Sequence, residues 1–185
     1  MSLPSMMKAA MLTALNKPLK LVDVPVPQIK SDEVLVQIEA SGVCFTDIQI
    51  LKGEHAPPAL PLIMGHEGVG LVVAVGANAK RLKVGDRVGV GYVHGACGHC
   101  RDCCTGGENY CPDFAATGFS VPGCFAEYVA LRDQWANKIP EGIDPIEAAP
   151  LMCAGAAAYS SLRNTEVHTG DTVAIFGMGG LGQYC

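Results

Sequence analysis

The sequence has no excess of basic residues, no long apolar run and little charge overall. These absences argue against a nucleic-acid-binding protein, a membrane-spanning protein and a disordered chain. Its 13 Lys and Arg face 18 Asp and Glu, a formal net charge of −5, so a basic nucleic-acid face is not expected. No apolar stretch approaches the roughly 20 residues of a membrane span. The start of the sequence lacks the apolar core of a secretory signal. We therefore expect a cytoplasmic protein without nucleic-acid or membrane partners.

Apolar residues and cysteines are what the sequence does have. Hydrophobic residues make up 49% and charged residues 17% of the 185 positions, which is typical of a packed globular core rather than a disordered chain. The cysteines number 9. Cytosolic thiols are kept reduced, so this number points to metal or redox chemistry rather than to disulfides.

The first two-thirds of the sequence predict short strands separated by glycine and proline. The alternation of Glu33–Ser41, the aliphatic run Gly68–Val75, the segment Arg87–Val90 after a Gly-Asp turn, and residues 124–131 are each typical of a strand. No long helical period precedes Pro140. We therefore predict a mainly β domain, a small barrel or sandwich.

The pattern changes after Pro140. The composition predicts a short helix over residues 145–149 and a second helix over 152–162, separated because Pro150 cannot continue a helix. Residues 172–176 predict a buried strand that runs directly into a glycine-rich loop. A domain border is expected between residues 145 and 165.

Five cysteines crowd into one polar segment, and four of them have the spacing of a structural zinc site: Cys97, Cys100, Cys103 and Cys111. Four thiolates match the closed tetrahedral shell of zinc, and the polar residues between them could not form an apolar core. His99 and Cys104 lie in the same segment and are expected to face solvent. A redox sensor with a disulfide between Cys100 and Cys103 is a weaker alternative.

The glycine-rich loop has the pattern G-x-G-x-x-G after a predicted strand, which indicates a dinucleotide phosphate site. The cofactor-binding candidates are Gly177, Gly179, Gly180, Leu181 and Gly182. The sequence ends 3 residues later, at Cys185, so we expect only the beginning of a Rossmann domain. The acidic residue that would distinguish NAD from NADP, about 20 positions further on, lies beyond it.

Several motifs that are far apart in the sequence indicate a function only when they are considered together. Cys44, His66 and Cys153 are far apart, and spacing by itself gives little reason to call them ligands. However, the sequence resembles the zinc-dependent medium-chain alcohol dehydrogenases in the order of five motifs. These are GVCFTD at 42–47, GHEGVG at 65–70, VGDRV at 84–88, the four-cysteine segment, and CAG at 153–155.

The resemblance implies a fold and a division of the chain. It implies a GroES-like, partly open β barrel over residues 7–150, with a structural zinc lobe at 94–113. Residues 151–185 would then hold a connecting helix and the first strand of an incomplete dinucleotide-binding domain. NAD or NADP would bind in the full-length enzyme, which the resemblance implies to be a homo-oligomer.

The resemblance also implies roles for individual residues. Cys44, His66 and Cys153 would bind a catalytic zinc, with a fourth position left for water or a substrate oxygen. Thr46 would receive the alcohol proton, Asp47 would orient the ring of His66, and Glu67 would sit close behind the metal. Thr46 and Asp47 could equally cap a helix over residues 47–51, and the two roles are compatible.

Two positions depart from the family pattern. Phe45 stands where a His or Arg usually reaches the cofactor pyrophosphate, and Gln49 stands where a His often completes a proton relay. Glutamine does not titrate near neutral pH, so turnover is expected to lack a relay step of His-like pKa. Tyr92 is placed either in the pocket wall or in the core.

Two functions from different classes follow. The first is hydride transfer between a primary or secondary alcohol and NAD(P)+, with two zinc ions per chain and a small alcohol or aldehyde as substrate. The second is a non-catalytic, zinc-stabilised scaffold, favoured by Phe45, Gln49 and the incomplete coenzyme domain. The count of bound zinc ions separates them.

Overall fold

The structure, a computed structural model, describes residues 3–185 and is mainly β. It contains four α-helices: α1 Phe45–Lys52, α2 Arg101–Cys104, α3 Pro145–Ala148 and α4 Ala154–Asn164. Single 3₁₀ turns lie at Glu108–Tyr110, Asp133–Trp135, Ala149–Met152 and Gly182–Tyr184. The ten strands are β1 Met6–Leu12, β2 Lys20–Pro25, β3 Glu33–Ser41, β4 Leu62–Ile63, β5 Gly68–Val75, β6 Arg87–Val90, β7 Val93–Gly95, β8 Ala115–Ala116, β9 Tyr128–Arg132 and β10 Ala136–Lys138.

An antiparallel sheet of five strands, in the order β10-β6-β5-β3-β9, forms the centre of the fold. Its β3–β5 pair shifts register twice, between Leu35 and Val36 and between Ile38 and Ala40. Such bulges bend a strand and increase its twist, so the sheet curls into a half barrel. At Gly70 a Cβ atom would collide with the carbonyl oxygen of Gln37, so close pairing of the two strands requires glycine there.

Two smaller sheets complete the β part, one in the order β2-β1-β4 and one formed by β7 and β8. The predicted strands Glu33–Ser41, Gly68–Val75 and Arg87–Val90 are confirmed. The strand predicted over 124–131 begins only at Tyr128. Residues 123–125 instead donate their backbone N–H groups to the carbonyls of residues 63–65.

Strand β3 is buried on both faces and organises the core. Val34 and Val36 are fully buried in one apolar cluster, which Val88 and Leu131 share. Leu35 points the other way, into a second cluster with Met7 and Tyr128. Burial of apolar surface contributes about 25 cal/mol per Å², so the first half of β3 stabilises the sheet through both of its faces.

The two helices predicted after Pro140 are present. Helix α3 begins after Asp144, whose Oδ1 atom accepts a hydrogen bond from the backbone N–H of Ile146 at 2.8 Å, and Pro145 occupies its first turn. The 3₁₀ turn Ala149–Met152 then leads through Cys153 into α4. Residue Cys153 is thereby held at the junction of two short helical segments.

The strand predicted over residues 172–176 is wrong. This segment pairs with no other part of the described chain, and Phe176 is 97% exposed. A strand needs a neighbour to accept its ladder of backbone hydrogen bonds, and the described residues supply none here. The glycine-rich loop that follows is compact all the same, because a Cβ at Gly182 would collide with the carbonyl oxygen of Gly177.

None of the described helices is both long and apolar enough to cross a membrane.

Candidate metal centres and the adjoining cavity

The first candidate metal centre joins three distant parts of the fold. Cys44 precedes α1, His66 and Glu67 precede β5, and Cys153 precedes α4. One ligand atom from each of these four residues lies within 4.8 Å of the others. The Sγ atoms of Cys44 and Cys153 are 3.7 Å apart although 109 positions separate them in the sequence. The fold therefore brings together all three residues that the sequence resemblance singled out as ligands.

Asp47 connects the helix cap to the imidazole ring. Its Oδ2 atom accepts a hydrogen bond from the backbone N–H of Cys44 at 2.9 Å, which completes the capping box of α1. Its Oδ1 atom lies 3.5 Å from Nδ1 of His66, and both side chains are buried. The N-cap residue is Cys44, so the predicted cap at Thr46 and Asp47 is wrong in position: both residues lie in the first turn of α1, and Asp47 contributes to the capping box from there. Asp47 also lies beside the His66 ring. With Nδ1 next to this carboxylate, Nε2 is the ring nitrogen left for a metal.

The buried polar atoms of this centre fit a metal ion. Within the described chain, Oδ1 of Asp47 and Nδ1 of His66 are buried without a hydrogen-bond partner. Burial lowers the pKa of His66, but Asp47 and Cys153 outweigh it and raise that pKa to about 11. Burial raises the pKa of Cys44, yet hydrogen bonds from Thr46 and His66 bring it below its ordinary value. The negative groups that stabilise a proton on His66 would also stabilise a divalent cation that replaces this proton, and two sulfurs with one imidazole suit zinc.

Glu67 is the fourth residue of this cluster. Its side chain is buried and packs so tightly over Gly42 that a Cβ there would collide with Oε2. Burial raises the pKa of Glu67, with Asp47 adding to the shift and His66 opposing it. The carboxyl group therefore lies beside the ligands, where the sequence resemblance expected it.

A cavity of about 750 Å³ opens onto this centre. His66, Cys153 and Thr46 line it, and the Tyr92 ring meets the His66 ring edge-on with 5.3 Å between centroids. The position of Tyr92 in the cavity wall, one of its two expected places, is confirmed. The sequence did not single out three other lining residues: His55, Trp135 and Met152. They come from different elements, and no sequence spacing connects them.

The second candidate centre is local. The Sγ atoms of Cys97, Cys100, Cys103 and Cys111 lie within 4.8 Å of one another. Backbone N–H groups point at the sulfurs, from Cys97 to Cys111 at 3.3 Å and from Cys100 to Cys97 at 3.3 Å. Cys100 also caps α2, since its thiol accepts from the backbone N–H of Cys103. The short loop and helix thus hold four sulfurs in one place, as the spacing predicted.

The four thiols need a cation to ionise together. The backbone N–H groups of His99 and Cys100 lower the pKa of Cys97 to about 6. Burial, followed by the neighbouring thiols, raises the pKa of Cys103 to about 12. A metal ion removes this conflict by binding all four as thiolates. All four are free thiols in the structure, and Cys104 and His99 lie outside the cluster and are exposed, as expected.

The remaining predicted residues lie away from the two centres. Phe45 is 69% exposed and points no donor at a cofactor. The five residues of the glycine-rich loop are outside the lining of the cavity in the part of the chain that the structure describes.

The sequence matches the family described as "Alcohol dehydrogenase GroES-like domain" over residues 30–141. It is 46% identical over 177 residues to an alcohol dehydrogenase of Geobacillus stearothermophilus, an alignment that covers 95% of this chain and 52% of the relative. The structure is similar to a cobalt- and zinc-bound thermostable alcohol dehydrogenase from Pyrobaculum aerophilum, with TM-score 0.88, 30% identity, and 97% of this chain and 55% of that chain covered. It is also similar to CAD from Helicobacter pylori complexed with NADP(H), with TM-score 0.89, 27% identity, and coverage of 97% and 54%.

The chain spans about half the length of the relatives it matches, 52% of the Geobacillus protein. The family match covers more than half of the 185 residues, and four of the five motifs behind the resemblance contribute residues to the two clusters of possible metal ligands. On this evidence the chain belongs to the zinc-dependent alcohol dehydrogenase family, of which it carries the GroES-like domain.

Proposed function

We propose that this chain is the metal-binding catalytic portion of an alcohol dehydrogenase. The reaction is hydride transfer between a primary or secondary alcohol and NAD(P)+, with the corresponding aldehyde or ketone as product. The observation that carries the proposal is the meeting of Cys44, His66 and Cys153, with ligand atoms within 4.8 Å of one another, beside a cavity of about 750 Å³ that His66 and Cys153 line. Three protein ligands beside an open cavity are the arrangement of a catalytic rather than a structural zinc.

In this proposal Cys44, His66 and Cys153 hold a zinc ion, which polarises an alcohol oxygen and lowers the pKa of its hydroxyl group. Asp47 places a carboxylate oxygen 3.5 Å from Nδ1 of His66 and would so fix the direction of the ring. Glu67 places a further carboxyl group next to the ligands.

The cavity wall positions the substrate and its proton. Thr46 lines the cavity two residues after Cys44, where its hydroxyl can accept the alcohol proton while giving up its own. Tyr92, Trp135 and Met152 supply apolar wall, which favours the carbon skeleton of a small alcohol and excludes water.

The four-cysteine cluster holds a second zinc in this proposal, giving two per chain. Four thiolates leave no open coordination position, so the second ion stabilises the lobe at 94–113 and takes no part in catalysis. Both centres need reduced thiols, which is consistent with a cytoplasmic location.

The nicotinamide cofactor would bind through the loop Gly177, Gly179, Gly180, Leu181 and Gly182, whose backbone can approach a pyrophosphate closely. The NADP(H) complex of the Helicobacter relative is consistent with this. Hydride transfer then requires the rest of a dinucleotide-binding domain, with 7–150 as the catalytic domain and 151–185 as the beginning of the cofactor domain. A homo-oligomer is proposed for that longer form.

A second candidate is a zinc-stabilised scaffold without catalysis. The observation in its favour is that segment 172–176 is exposed and pairs with no strand of the described chain, so the glycine-rich loop does not follow a strand of a sheet. This candidate requires a zinc ion in the four-cysteine lobe and does not require one at Cys44.

Metal analysis of three cysteine variants separates the candidates. We expect two zinc ions per wild-type chain, one fewer in Cys44→Ser with the fold retained, and one fewer in Cys97→Ser with the lobe unfolded. Cys104→Ser is the matched control, because Cys104 is exposed and outside both clusters. A single zinc that survives Cys44→Ser would support the scaffold instead.

A further inference from the structure

The cavity contains a second imidazole that the proposed reaction leaves unused. His55 lines the same wall as Thr46 and Gln49. We propose that His55 receives the proton released from the alcohol and delivers it to solvent. This inference rests on the proposed function and names the proton exit of that same site. It replaces the expectation, based on Gln49 alone, that no group of His-like pKa takes part.

The end of helix α1 places His55 at the cavity. Thr46 and Gln49 are three positions apart and therefore lie on one face of the helix. Gly53 ends the helix in the left-handed conformation, with φ 74°. The chain then folds back, so the backbone N–H groups of Glu54 and His55 both donate to the carbonyl of Gln49, at 2.9 and 3.3 Å. His55 is thus held next to the residue that cannot titrate.

The His55 ring is fixed by an aromatic neighbour. It stacks on Phe119 with 4.6 Å between centroids and 24° between planes. Stacking occupies a face of the ring and leaves the two nitrogens at its edge available for hydrogen bonds. His55 is exposed as well as cavity-lining, so a proton that reaches it has a direct way out.

The other titratable groups of the cavity are unsuited to this task. His66 has one nitrogen beside Asp47 and the other directed to the metal centre. Burial raises the pKa of Tyr92 above its ordinary value of 10.0, so it holds its proton at neutral pH. Cys153 is a metal ligand in the proposed function. Of the two histidines in the cavity lining, His55 is therefore the one whose ring remains free to exchange a proton.

The charged surroundings of His55 are balanced. Lys52 and Glu54, on either side of Gly53, pair with each other at 3.9 Å. The residues next to Phe119, Gly118 and Ser120, carry no charge. The segments on either side of the stacked rings therefore contribute one oppositely charged pair and no net charge.

The proton step balances without an oxidant. The O–H bond of the alcohol breaks, its proton goes to the Thr46 hydroxyl, and the proton of that hydroxyl passes through cavity solvent to a His55 ring nitrogen. An N–H bond forms there and later breaks toward bulk water. Hydride leaves separately to NAD(P)+, as in the proposed function.

Binding of trifluoroethanol to the zinc-loaded chain tests the inference. Calorimetry at about pH 7.5 in two buffers of different ionisation enthalpy counts the protons released to solvent. We expect wild type to release fewer protons than His55→Phe while the alcohol stays bound, because the negative charge of the bound alkoxide favours the protonated His55 ring; delivery to bulk water follows in turnover, once hydride has left. Phenylalanine preserves the stacking on Phe119, so this variant removes the base and keeps the ring. His168→Gln is the control, since His168 is exposed in the segment after α4.

A second readout does not depend on proton counting. The NMR titration of the His55 ring should move to higher pH when trifluoroethanol binds, whereas that of His168 should not move. Equal proton release by wild type and His55→Phe, with unchanged alcohol binding, would overturn the role of His55 and leave the proposed function intact. Absence of zinc-dependent alcohol binding in every variant would overturn both.

Discussion

The lobe around Cys97 and the cavity around Cys44 both gather thiols, but the chain assembles them differently. In the lobe, Cys97 and Cys111 are only 14 positions apart, and neighbouring backbone N–H groups bond the sulfurs. At the cavity, Cys44 and Cys153 are 109 positions apart and belong to separate elements. The local centre can form wherever its segment is, whereas the distant centre exists only in the folded barrel. We therefore expect the lobe to need its metal in order to fold, and the centre at Cys44 to need the folded barrel in order to bind a metal.

Removal of zinc should have its largest effect on the lobe. The four-cysteine segment is polar and has little core of its own, so a chelator should unfold it; zinc-finger peptides gain about 10–16 kcal/mol from their metal. The five-stranded sheet should survive, because its core consists of apolar side chains. Hydrogen exchange with and without chelator measures both regions at once. Equal loss of protection in sheet and lobe would contradict this difference between the two regions.

Removal of a buried side chain from the barrel core should weaken the barrel and the centre at Cys44, and leave the lobe unchanged. Leu131 is fully buried in the cluster around β3, so Leu131→Ala should lower the free energy of unfolding by about 2–5 kcal/mol. The centre at Cys44 should bind zinc less tightly, while the lobe keeps its metal. Urea unfolding and metal titration measure these effects, with the exposed Leu21→Ala as a control. Loss of the lobe metal in Leu131→Ala would show that the lobe also needs the barrel.

Replacement of Asp47 by asparagine should affect the distant centre alone. The amide oxygen can still accept from the backbone N–H of Cys44, so the α1 cap is kept, but the negative charge beside His66 is lost. Loss of such a partner typically costs 10–100-fold in metal affinity. Absorption of the cobalt-substituted protein resolves the two centres. An unchanged cobalt affinity at both centres would contradict a role of Asp47 in orienting His66.

The smallest expected effect is a loss of folding free energy in mild acid, caused by His94 in β7. Burial lowers the pKa of His94, with Arg132 and Lys30 acting in the same direction and Glu33 opposing them. The unfolded chain therefore binds more protons than the folded chain as the pH falls below about 6.5, and stability is lost there. His94→Gln should reduce this loss. Urea unfolding of both proteins at neutral and mildly acidic pH tests it, and parallel curves would exclude His94 as a contributor.

The sequence predicted well wherever a feature is local. The spacing of Cys97, Cys100, Cys103 and Cys111 was enough to predict their cluster, because a short loop can wrap one ion without outside help. The strands Glu33–Ser41 and Gly68–Val75 were likewise visible as apolar patterns. The segment 172–176 shows the limit of that approach. Its apolar run predicted a strand, but no described neighbour pairs with it.

Composition and spacing alone therefore determined a mainly β fold and one closed four-thiol centre, since both depend on contacts between near neighbours. The grouping of Cys44, His66 and Cys153 was expected only through resemblance to a family. Only the tertiary structure placed His55 beside Thr46 and Gln49 in one cavity, because a helix end and its return turn decide which distant side chains share a wall. Such contacts are set by packing between elements, which leaves no periodic trace along the chain.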